Sequence, residues 1–287
     1  EAKNPRISVH HASQVIGMDE HPGQALRKKK DASVVVATSL VRDNRCDAVI
    51  APGSTGAAVA AALFGLGRIK GIDRPVIATP MPTVSGITVM LDSGANSNCK
   101  PKHLVQGALM GSEYAKLLLG KENPTVGLLN IGEEATKGND VVLATYPILE
   151  GMKTINFKGN IEGRDIPKGA VDVVVCDGFV GNVVLKFAEG LVTGLTQLVK
   201  DSIMAGSIFA KIGAMLVKPA LKKMAKRLDH TENGGAPLLG VNGVFMIAHG
   251  SSKAKEIKTA IEIASDLVER KIIQHIRETM DIEGALK

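Results

Sequence analysis

The chain has 287 residues, 45% of them hydrophobic and 22% charged, which is typical of a soluble globular protein with a substantial core. Aromatic residues make up 3% of the chain and tryptophan is absent, which argues against nucleic-acid modules that stack bases on aromatic rings. The net charge of +6 fits either a mildly basic cytosolic protein or one attracted to phosphates, acidic proteins or anionic lipid. We find no secretory signal and no apolar run of membrane-spanning length in the sequence.

Short apolar segments alternate with longer helical patterns along the chain. The segments that predict strands are 7–10, 48–51, 76–78, 88–91, 126–130, 155–157, 171–175 and 244–247. The segments that predict helices are 22–40, 57–66, 101–119, 141–150, 181–200 and 259–280. This alternation predicts an α/β fold with a mainly parallel, doubly wound sheet and helices on both faces. No internal repeat or linker divides the chain, so we expect one domain over residues 1–287.

Three glycine-rich segments each follow an apolar run, at 130–139, 177–182 and 248–252. In open α/β sheets, ligands bind at the carboxyl ends of the strands. Glycine lets the backbone approach a ligand there, and a following helix offers free N–H groups to an anion. The three loops therefore predict a shared site for a small anionic ligand. The strand-end loops at 53–56 and 92–96 either complete this pocket or only turn the chain.

Each polar residue in these loops has a structural interpretation beside the chemical one. Lys137 can neutralise a phosphate or a developing oxyanion, or it can be a solvated surface lysine. Asn182 and Asp177 lie where a helix begins and can simply cap it. His249 can act as an acid or base, and the serines after it can bind phosphate or cap a helix.

Residues 201–229 differ from the rest because they combine apolar and basic residues with no acid between Asp201 and Asp229. Pro219 is expected to divide the segment into two helices. Such a segment suits an anionic membrane surface, and it suits equally a helical hairpin that packs on its own core or on a second subunit. The residues predicted to contact membrane or partner are Ile208, Phe209, Ile212, Met215, Leu216, Lys222, Lys223 and Lys226.

Several kinds of site have no support in the sequence. The three cysteines are widely spaced and form no metal-ligand pattern, so we expect reduced thiols, buried at Cys46 and Cys176. Asp92 could bind a metal, but no second carboxylate has suitable spacing. The chain contains no nucleophile elbow, no phosphate-binding P-loop and no dinucleotide fingerprint after a strand. No metal and no cofactor are predicted.

Longer ordered motifs resemble those of the PlsX family of bacterial phosphate acyltransferases. The motifs lie at 27–30, 67–75, 82–86, 91–96, 100–106, 127–132, 137–139, 177–182 and 249–252. The resemblance extends from about Asp19 to the terminal helix. It implies a fold like that of phosphotransacetylases and isocitrate-type dehydrogenases, usually as a homodimer.

The resemblance implies an enzyme that transfers a long acyl chain from acyl carrier protein to inorganic phosphate. The product is an acyl phosphate for a downstream glycerol-phosphate acyltransferase of phospholipid synthesis. The family has a helical pair that contacts membrane, which corresponds to 201–229 and implies a cytoplasmic, peripherally membrane-associated protein. Neither metal nor nicotinamide is implied.

The family motifs also imply roles for individual residues. Lys137 corresponds to the catalytic lysine and Asn182 to an active-site asparagine. We expect Lys137 to stabilise the anion and Asn182 to hold phosphate or the carbonyl oxygen. Further candidates for binding substrate or phosphate are Asn96, Asn139, Asp177, His249, Ser251 and Ser252.

Two features depart from the family pattern. Family members begin with a strand and an Asp-Ala-Met-Gly-Gly-Asp-like loop that this sequence lacks, and Ser54 stands where the family usually has asparagine. The alternatives are a short-chain phosphotransacetylase that uses acyl-coenzyme A, a nucleotide-binding dehydrogenase, and a non-catalytic membrane-associated scaffold for lipid enzymes.

Overall fold

The computed structural model describes residues 4–228 and 234–285. Within these ranges, the strands are β1 Ala48–Pro52, β2 Val76–Ile77, β3 Thr79–Thr83, β4 Gly86–Leu91, β5 Thr125–Asn130, β6 Asn156–Glu162, β7 Val173–Val175, β8 Ala236–Leu239 and β9 Val244–Ala248. The helices are α1 Pro22–Lys28, α2 Ser33–Arg42, α3 Thr55–Gly65, α4 Pro101–Leu119, α5 Asp140–Gly151, α6 Gly178–Ala205, α7 Ile208–Leu228, α8 Ala254–Glu269 and α9 Ile272–Ala285. The predicted α/β class is confirmed.

The strands form two sheets, where the sequence suggested one. One sheet has the order β1-β9-β8-β2, and the other has the order β3-β4-β7-β5-β6. In the second sheet β4, β7, β5 and β6 are parallel, whereas β3 pairs antiparallel with β4 at the edge. The chain crosses between the sheets at Ala78, directly after β2, where a backbone hydrogen bond joins Ser93 N to Ile77 O at 3.1 Å.

One apolar core joins the two sheets. It contains buried residues of both sheets together with residues of α4, α8 and α9. A second cluster packs α2 and α3 against the first sheet, and a third packs the start of α6 against the second. Helix α4 begins with Pro101 and ends at Leu119, followed by Gly120 in the left-handed conformation, and these bounds agree with the predicted helix 101–119.

Three predicted elements are corrected by the structure, and one strand was not predicted. Residues 7–10 form no strand because no described strand pairs with them, and Val9 is almost fully exposed. The predicted helix 22–40 is divided between α1 and α2, where the Asp31 carboxylate accepts hydrogen bonds from Ser13 N and Oγ. The predicted terminal helix is divided at Lys271, whose φ is +54°, and both halves then reach the core. Segment 79–83 is a strand despite Pro80 and Pro82, since an edge strand tolerates proline.

The helical pair at 201–229 is also divided at a different residue than predicted. Pro219 lies inside α7, and the break falls at Gly206, whose ψ of 174° is extended. A Cβ at Gly206 would lie 2.9 Å from Ala210 Cβ, so the tight turn favours glycine. Ser207 directly precedes α7, and its carbonyl accepts a hydrogen bond from Lys211 N at 3.2 Å. Proline inside a helix forgoes one backbone hydrogen bond, which an exposed helix can tolerate at a cost.

Candidate active site

The second sheet brings three of the glycine-rich loops to one edge. Strands β4, β7 and β5 are parallel neighbours, and they end at Leu91, Val175 and Asn130. The loops that follow are 92–96, 176–177 with the start of α6, and 131–139. Parallel strands lie about 4.8 Å apart, so loops from adjacent strands emerge side by side. The loops that carry Asn96 and Lys137, and the start of α6 that carries Asn182, therefore lie at the same edge of the sheet.

Asp92 organises the first of these loops. Its carboxylate is buried and accepts hydrogen bonds from Ile77 N at 3.1 Å, Gly94 N at 3.1 Å and Ala95 N at 3.0 Å. It also accepts bonds from Asn96 N at 2.7 Å and Asn96 Nδ2 at 2.8 Å. Burial raises the pKa of the Asp92 carboxyl, and these hydrogen bonds act in the opposite direction. Because both oxygens are engaged by the protein, Asp92 acts here as a structural anchor.

Metal ligation draws no support from the side chains around Asp92. Among the described residues, no group of three or more His, Cys, Asp or Glu side chains could hold a metal ion. Asn96 is likewise engaged, because its Nδ2 donates to Pro75 O at 2.7 Å as well as to Asp92. The structure therefore gives Asn96 a role within the loop, and its contact with substrate stays a prediction.

The start of α6 packs directly against the 92–96 loop. Gly178 N donates to Asn96 O at 2.7 Å, and Asp177 caps the helix by accepting a hydrogen bond from Val180 N at 2.9 Å. A Cβ at Gly178 would lie 2.8 Å from Asn96 N, and one at Gly181 would lie 1.9 Å from Asp92 O. These two glycines let the helix approach the loop closely. The approach sets the position of Asn182, which is exposed beside Gly94.

Lys137 lies in the loop between β5 and α5. The residue is exposed, and no carboxylate of the described residues forms an ion pair with its ammonium group. Its carbonyl accepts a hydrogen bond from Asn130 Nδ2 at 2.9 Å. Asn139 caps α5 by accepting a bond from Val142 N at 3.0 Å. Among the described residues, Lys137 is therefore a cation without an ion pair, and its loop emerges beside the start of α6, which carries Asn182.

The remaining candidates belong to the first sheet. Strands β1 and β9 are parallel neighbours, so the 53–56 and 248–252 loops lie together, and a Cβ at Gly250 would lie 3.9 Å from Gly53 Cα. His249 Nδ1 and Ser251 Oγ are 2.6 Å apart, and Ser252 N donates to His249 O at 3.0 Å. Ser54 caps α3, which is the structural alternative for a serine at that position. These residues form a local turn rather than part of the β4-β7-β5 edge.

A second candidate surface is formed by α6 and α7. Phe179, Val183, Phe187, Leu191 and Leu195 recur every four residues along α6 and are exposed. The predicted contact residues of α7 that are exposed are Ile208, Phe209, Ile212, Met215, Leu216, Lys222 and Lys223. The side chain of Lys226 lies outside the described residues.

No apolar run of membrane-spanning length was expected from the sequence, but α6 contains one. Within the described part of the chain, α6 is the helix whose length and composition would allow it to cross a membrane. Only 11% of that apolar stretch is buried. The helix nevertheless starts against the 92–96 loop, so its first turn belongs to the site.

Of the two thiols expected to be buried, one is buried and the other is exposed. Cys176 is buried, as predicted, and burial raises the pKa of its thiol well above the usual value. Burial also raises the pKa of Cys99 to about 11, with the Asp92 and Asp177 carboxylates acting in the same direction. Cys46 is exposed, so the expectation that it is buried was wrong. Its apolar neighbours in sequence, 48–51, enter β1, whereas Cys46 precedes the strand.

The fold places the chain in a known structural class of enzymes. The structure is similar to an EutD phosphotransacetylase from Staphylococcus aureus, with a TM-score of 0.55 at 15% identity, over 85% of this chain and 70% of that one. It is also similar to a phosphotransacetylase from Streptococcus pyogenes, with a TM-score of 0.55 at 17% identity, over 86% and 70% of the two chains. The chain therefore has the fold of the phosphotransacetylases.

Sequence comparison then assigns the family. Residues 1–275 match the family described as "Fatty acid synthesis protein". The chain is 55% identical over 276 residues to the phosphate acyltransferase of Desulfitobacterium hafniense, covering 96% of this chain and 82% of that one. It is 57% identical over 273 residues to the phosphate acyltransferase of Heliobacterium modesticaldum, covering 95% and 81%. The chain belongs to this family, the PlsX family of phosphate acyltransferases, and is an enzyme of fatty acid and phospholipid synthesis.

Proposed function

We propose that this enzyme transfers a long-chain acyl group from acyl carrier protein to inorganic phosphate at the β4-β7-β5 edge. The observation that carries the proposal is that the loop bearing Lys137 and the helix bearing Asn182 follow adjacent parallel strands, β5 and β7. A phosphate oxygen attacks the thioester carbonyl carbon, forming a C–O bond. The C–S bond then breaks, the thiol of the carrier protein leaves with a proton from solvent, and acyl phosphate remains.

Lys137 and Asn182 have different roles in binding and stabilising the reacting groups. The Lys137 ammonium neutralises the attacking phosphate and the oxyanion that develops on the carbonyl carbon, which is supported by its exposure and the absence of an ion pair within the described residues. The Asn182 amide holds phosphate or the carbonyl oxygen. Binding both reactants in one orientation supplies a large part of the rate acceleration. Asn139 and Asp177 are proposed to border the substrates at this edge. His249, Ser251 and Ser252 lie outside it, in the loop after β9, and their contact with phosphate stays a prediction from the sequence.

The exposed surface of α6 and α7 is proposed to contact a second copy of the chain and an anionic membrane. A long-chain acyl group and its acyl phosphate are strongly apolar, so attachment at the membrane surface delivers the product to a downstream glycerol-phosphate acyltransferase. The apolar stripe of α6 and the lysines of α7 suit these two contacts. The enzyme would then act as a cytoplasmic, peripherally membrane-associated homodimer, with α6 and α7 protruding from a single α/β domain.

The first experiment measures acyl phosphate formed from palmitoyl-acyl carrier protein and phosphate. The native protein should give phosphate-dependent product, and Lys137→Ala should lower kcat by about 100-fold or more because one positioned electrostatic group is lost. Lys153→Ala, which removes an exposed lysine just beyond the opposite end of α5, is the control and should match the native rate. Turnover of acetyl- or butyryl-coenzyme A without activity on the long-chain donor would favour a short-chain phosphotransacetylase. A protein without either activity would favour a scaffold.

Membrane contact is tested separately by vesicle sedimentation. The native protein should sediment with phosphatidylglycerol vesicles and less with phosphatidylcholine vesicles. The Lys222→Ala/Lys223→Ala double variant should lose about 2 kcal/mol of binding to the anionic vesicles, at about 1 kcal/mol for each lysine near the surface. Lys255→Ala/Lys258→Ala, on α8, is the matched control. Equal sedimentation of native protein and the α7 variant would contradict the proposed lipid contact.

A further inference from the structure

Two asparagines from adjacent strands hold the backbone on either side of Lys137. Asn130, the last residue of β5, donates from Nδ2 to Lys137 O at 2.9 Å. Asn160, on β6, donates from Nδ2 to Glu134 O at 2.9 Å, and the same carbonyl accepts a hydrogen bond from Lys137 N at 3.1 Å. We propose that Asn130 and Asn160 are positioning residues that fix Lys137 for the reaction. The inference rests on the proposed role of Lys137.

The loop depends on such bonds because it has little other support. Residues 133–137 are exposed and belong to no helix or strand. Lys137 has a long side chain with high rotamer entropy, so its ammonium can be positioned only if its backbone is held. Each bond from Asn130 or Asn160 acts on one of the two peptide groups that flank the turn.

The packing around Gly138 keeps Asn130 in place. Gly138 has a φ of +111°, and a Cβ there would lie 2.6 Å from Asn130 Oδ1 and 3.0 Å from Val142 Cγ1. The chain therefore passes close above the Asn130 side chain, between it and the start of α5. Asn130 Oδ1 also accepts a hydrogen bond from Ile131 N at 2.8 Å. Both ends of this amide are used to shape the loop.

Asn160 reaches the loop because of an irregularity in β6. The pairing of β5 with β6 shifts register between Val126 and Leu128, and Gly159 has a φ of +92°. Between these two positions β6 contains one residue more than β5. An extra residue of this kind changes the direction of the side chains that follow it. Asn160 is thereby buried, at 6% exposure, and its Oδ1 has no hydrogen-bond partner among the described residues. A buried oxygen without a hydrogen-bond partner destabilises the fold. The favourable contribution of the Asn160 amide therefore comes mainly from the hydrogen bond that its Nδ2 donates to Glu134 O.

The strand carries its own control. Asn156, at the other end of β6, donates from Nδ2 to Asn123 O at 3.2 Å, which is the same kind of bond to a loop remote from Lys137. Asn156→Ala therefore reports the general cost of removing an amide from this strand. Comparison of Asn160→Ala with Asn156→Ala separates support of Lys137 from support of the strand.

The test is a double-mutant cycle on acyl phosphate formation. Asn130→Ala and Asn160→Ala should each lower kcat by about 10-fold to 100-fold with a smaller change in KM, since a small displacement of a catalytic group has effects of this size. Asn156→Ala should match the native kcat. In a Lys137→Ala background neither asparagine variant should lower the residual rate further, because residues that act through one group are not additive.

A second measurement reads the loop directly. Amide hydrogen exchange in the peptide 131–140 should be faster in Asn160→Ala than in the native protein, and unchanged in Asn156→Ala. Asn160→Leu, which fills the buried volume, is used if the alanine variant does not fold. Equal losses of kcat with and without Lys137, or native kcat in both single variants, would overturn the inference alone. If the native protein formed no acyl phosphate, or Lys137→Ala retained full activity, the proposed function would fail and the inference with it.

Discussion

The contact between α6 and the 92–96 loop leads to a quantitative prediction for Gly181. A Cβ at this position would lie 1.9 Å from Asp92 O and 3.0 Å from Cys176 Sγ. The first of these atoms belongs to the backbone of a loop held by five hydrogen bonds to its own carboxylate, so it cannot move aside as a flexible side chain would. The start of α6 must therefore shift by about 1.5 Å to reach an ordinary contact distance.

The Gly181→Ala substitution should destabilise the protein by about 3 kcal/mol, at the upper end of the range for overpacking. Gly190→Ala, in the same helix, is the matched control because nothing lies within 4 Å of its Cβ position. That variant should be more stable by about 0.5–1 kcal/mol, since alanine is the better helix former. Urea denaturation followed by circular dichroism gives both values.

The two variants should also differ in activity. Gly181→Ala moves the helix that carries Asn182, so acyl phosphate formation should fall even at low temperature where the variant is folded. Gly190→Ala should retain the native rate. Equal midpoints of unfolding for the two variants would show that α6 is not held against Asp92.

Two further predictions concern ionisation and thiol access. Burial works to raise the pKa of Asp172, but the bonds from Lys121 and from Thr125 N and Oγ1 outweigh it and the pKa is lowered. The stability that Asp172 contributes is therefore fully present above its unfolded pKa of 3.8 and is lost as the pH falls through the lower folded pKa. The Asp172→Asn substitution should lower the free energy of unfolding by about 1–2 kcal/mol at pH 7 and by progressively less below pH 4. Urea titration at each pH measures this difference. A short pulse of N-ethylmaleimide, read by mass spectrometry, should label exposed Cys46 in the folded protein and Cys176 only after unfolding. Cys99 is partly buried and its thiol pKa is raised, so it should label more slowly than Cys46. Rapid labelling of Cys176 without denaturant would refute its burial.

Local signals in the chain predicted much of the fold. Helix α4 has proline at its start and glycine at its end, and both act within one turn of the helix. Strand β7 is a run of three valines buried on both faces, which is typical of a parallel strand in the middle of a sheet. Such features depend on neighbours in sequence, so they could be read without knowledge of the tertiary structure.

The errors arose where distant parts of the chain interact. The predicted strand 76–78 ended before Pro80 and Pro82, yet both prolines lie in an edge strand that pairs with β4. The break after α1 depends on bonds between Asp31 and Ser13, eighteen residues away. The division after α8 lets Ile272 enter a core that it shares with α4. No periodicity of sequence encodes these contacts.

The candidate site shows the same division. The amino-acid sequence by itself determined the α/β class, the strand-end loops and the motifs that contain Lys137 and Asn182, because each is a contiguous pattern. The tertiary structure alone decided that the Asp92 carboxylate anchors its own loop, and that Asn130 and Asn160 hold the turn of Lys137. These roles depend on hydrogen bonds and close contacts across neighbouring strands, and only the folded order β4-β7-β5-β6 brings the partners together.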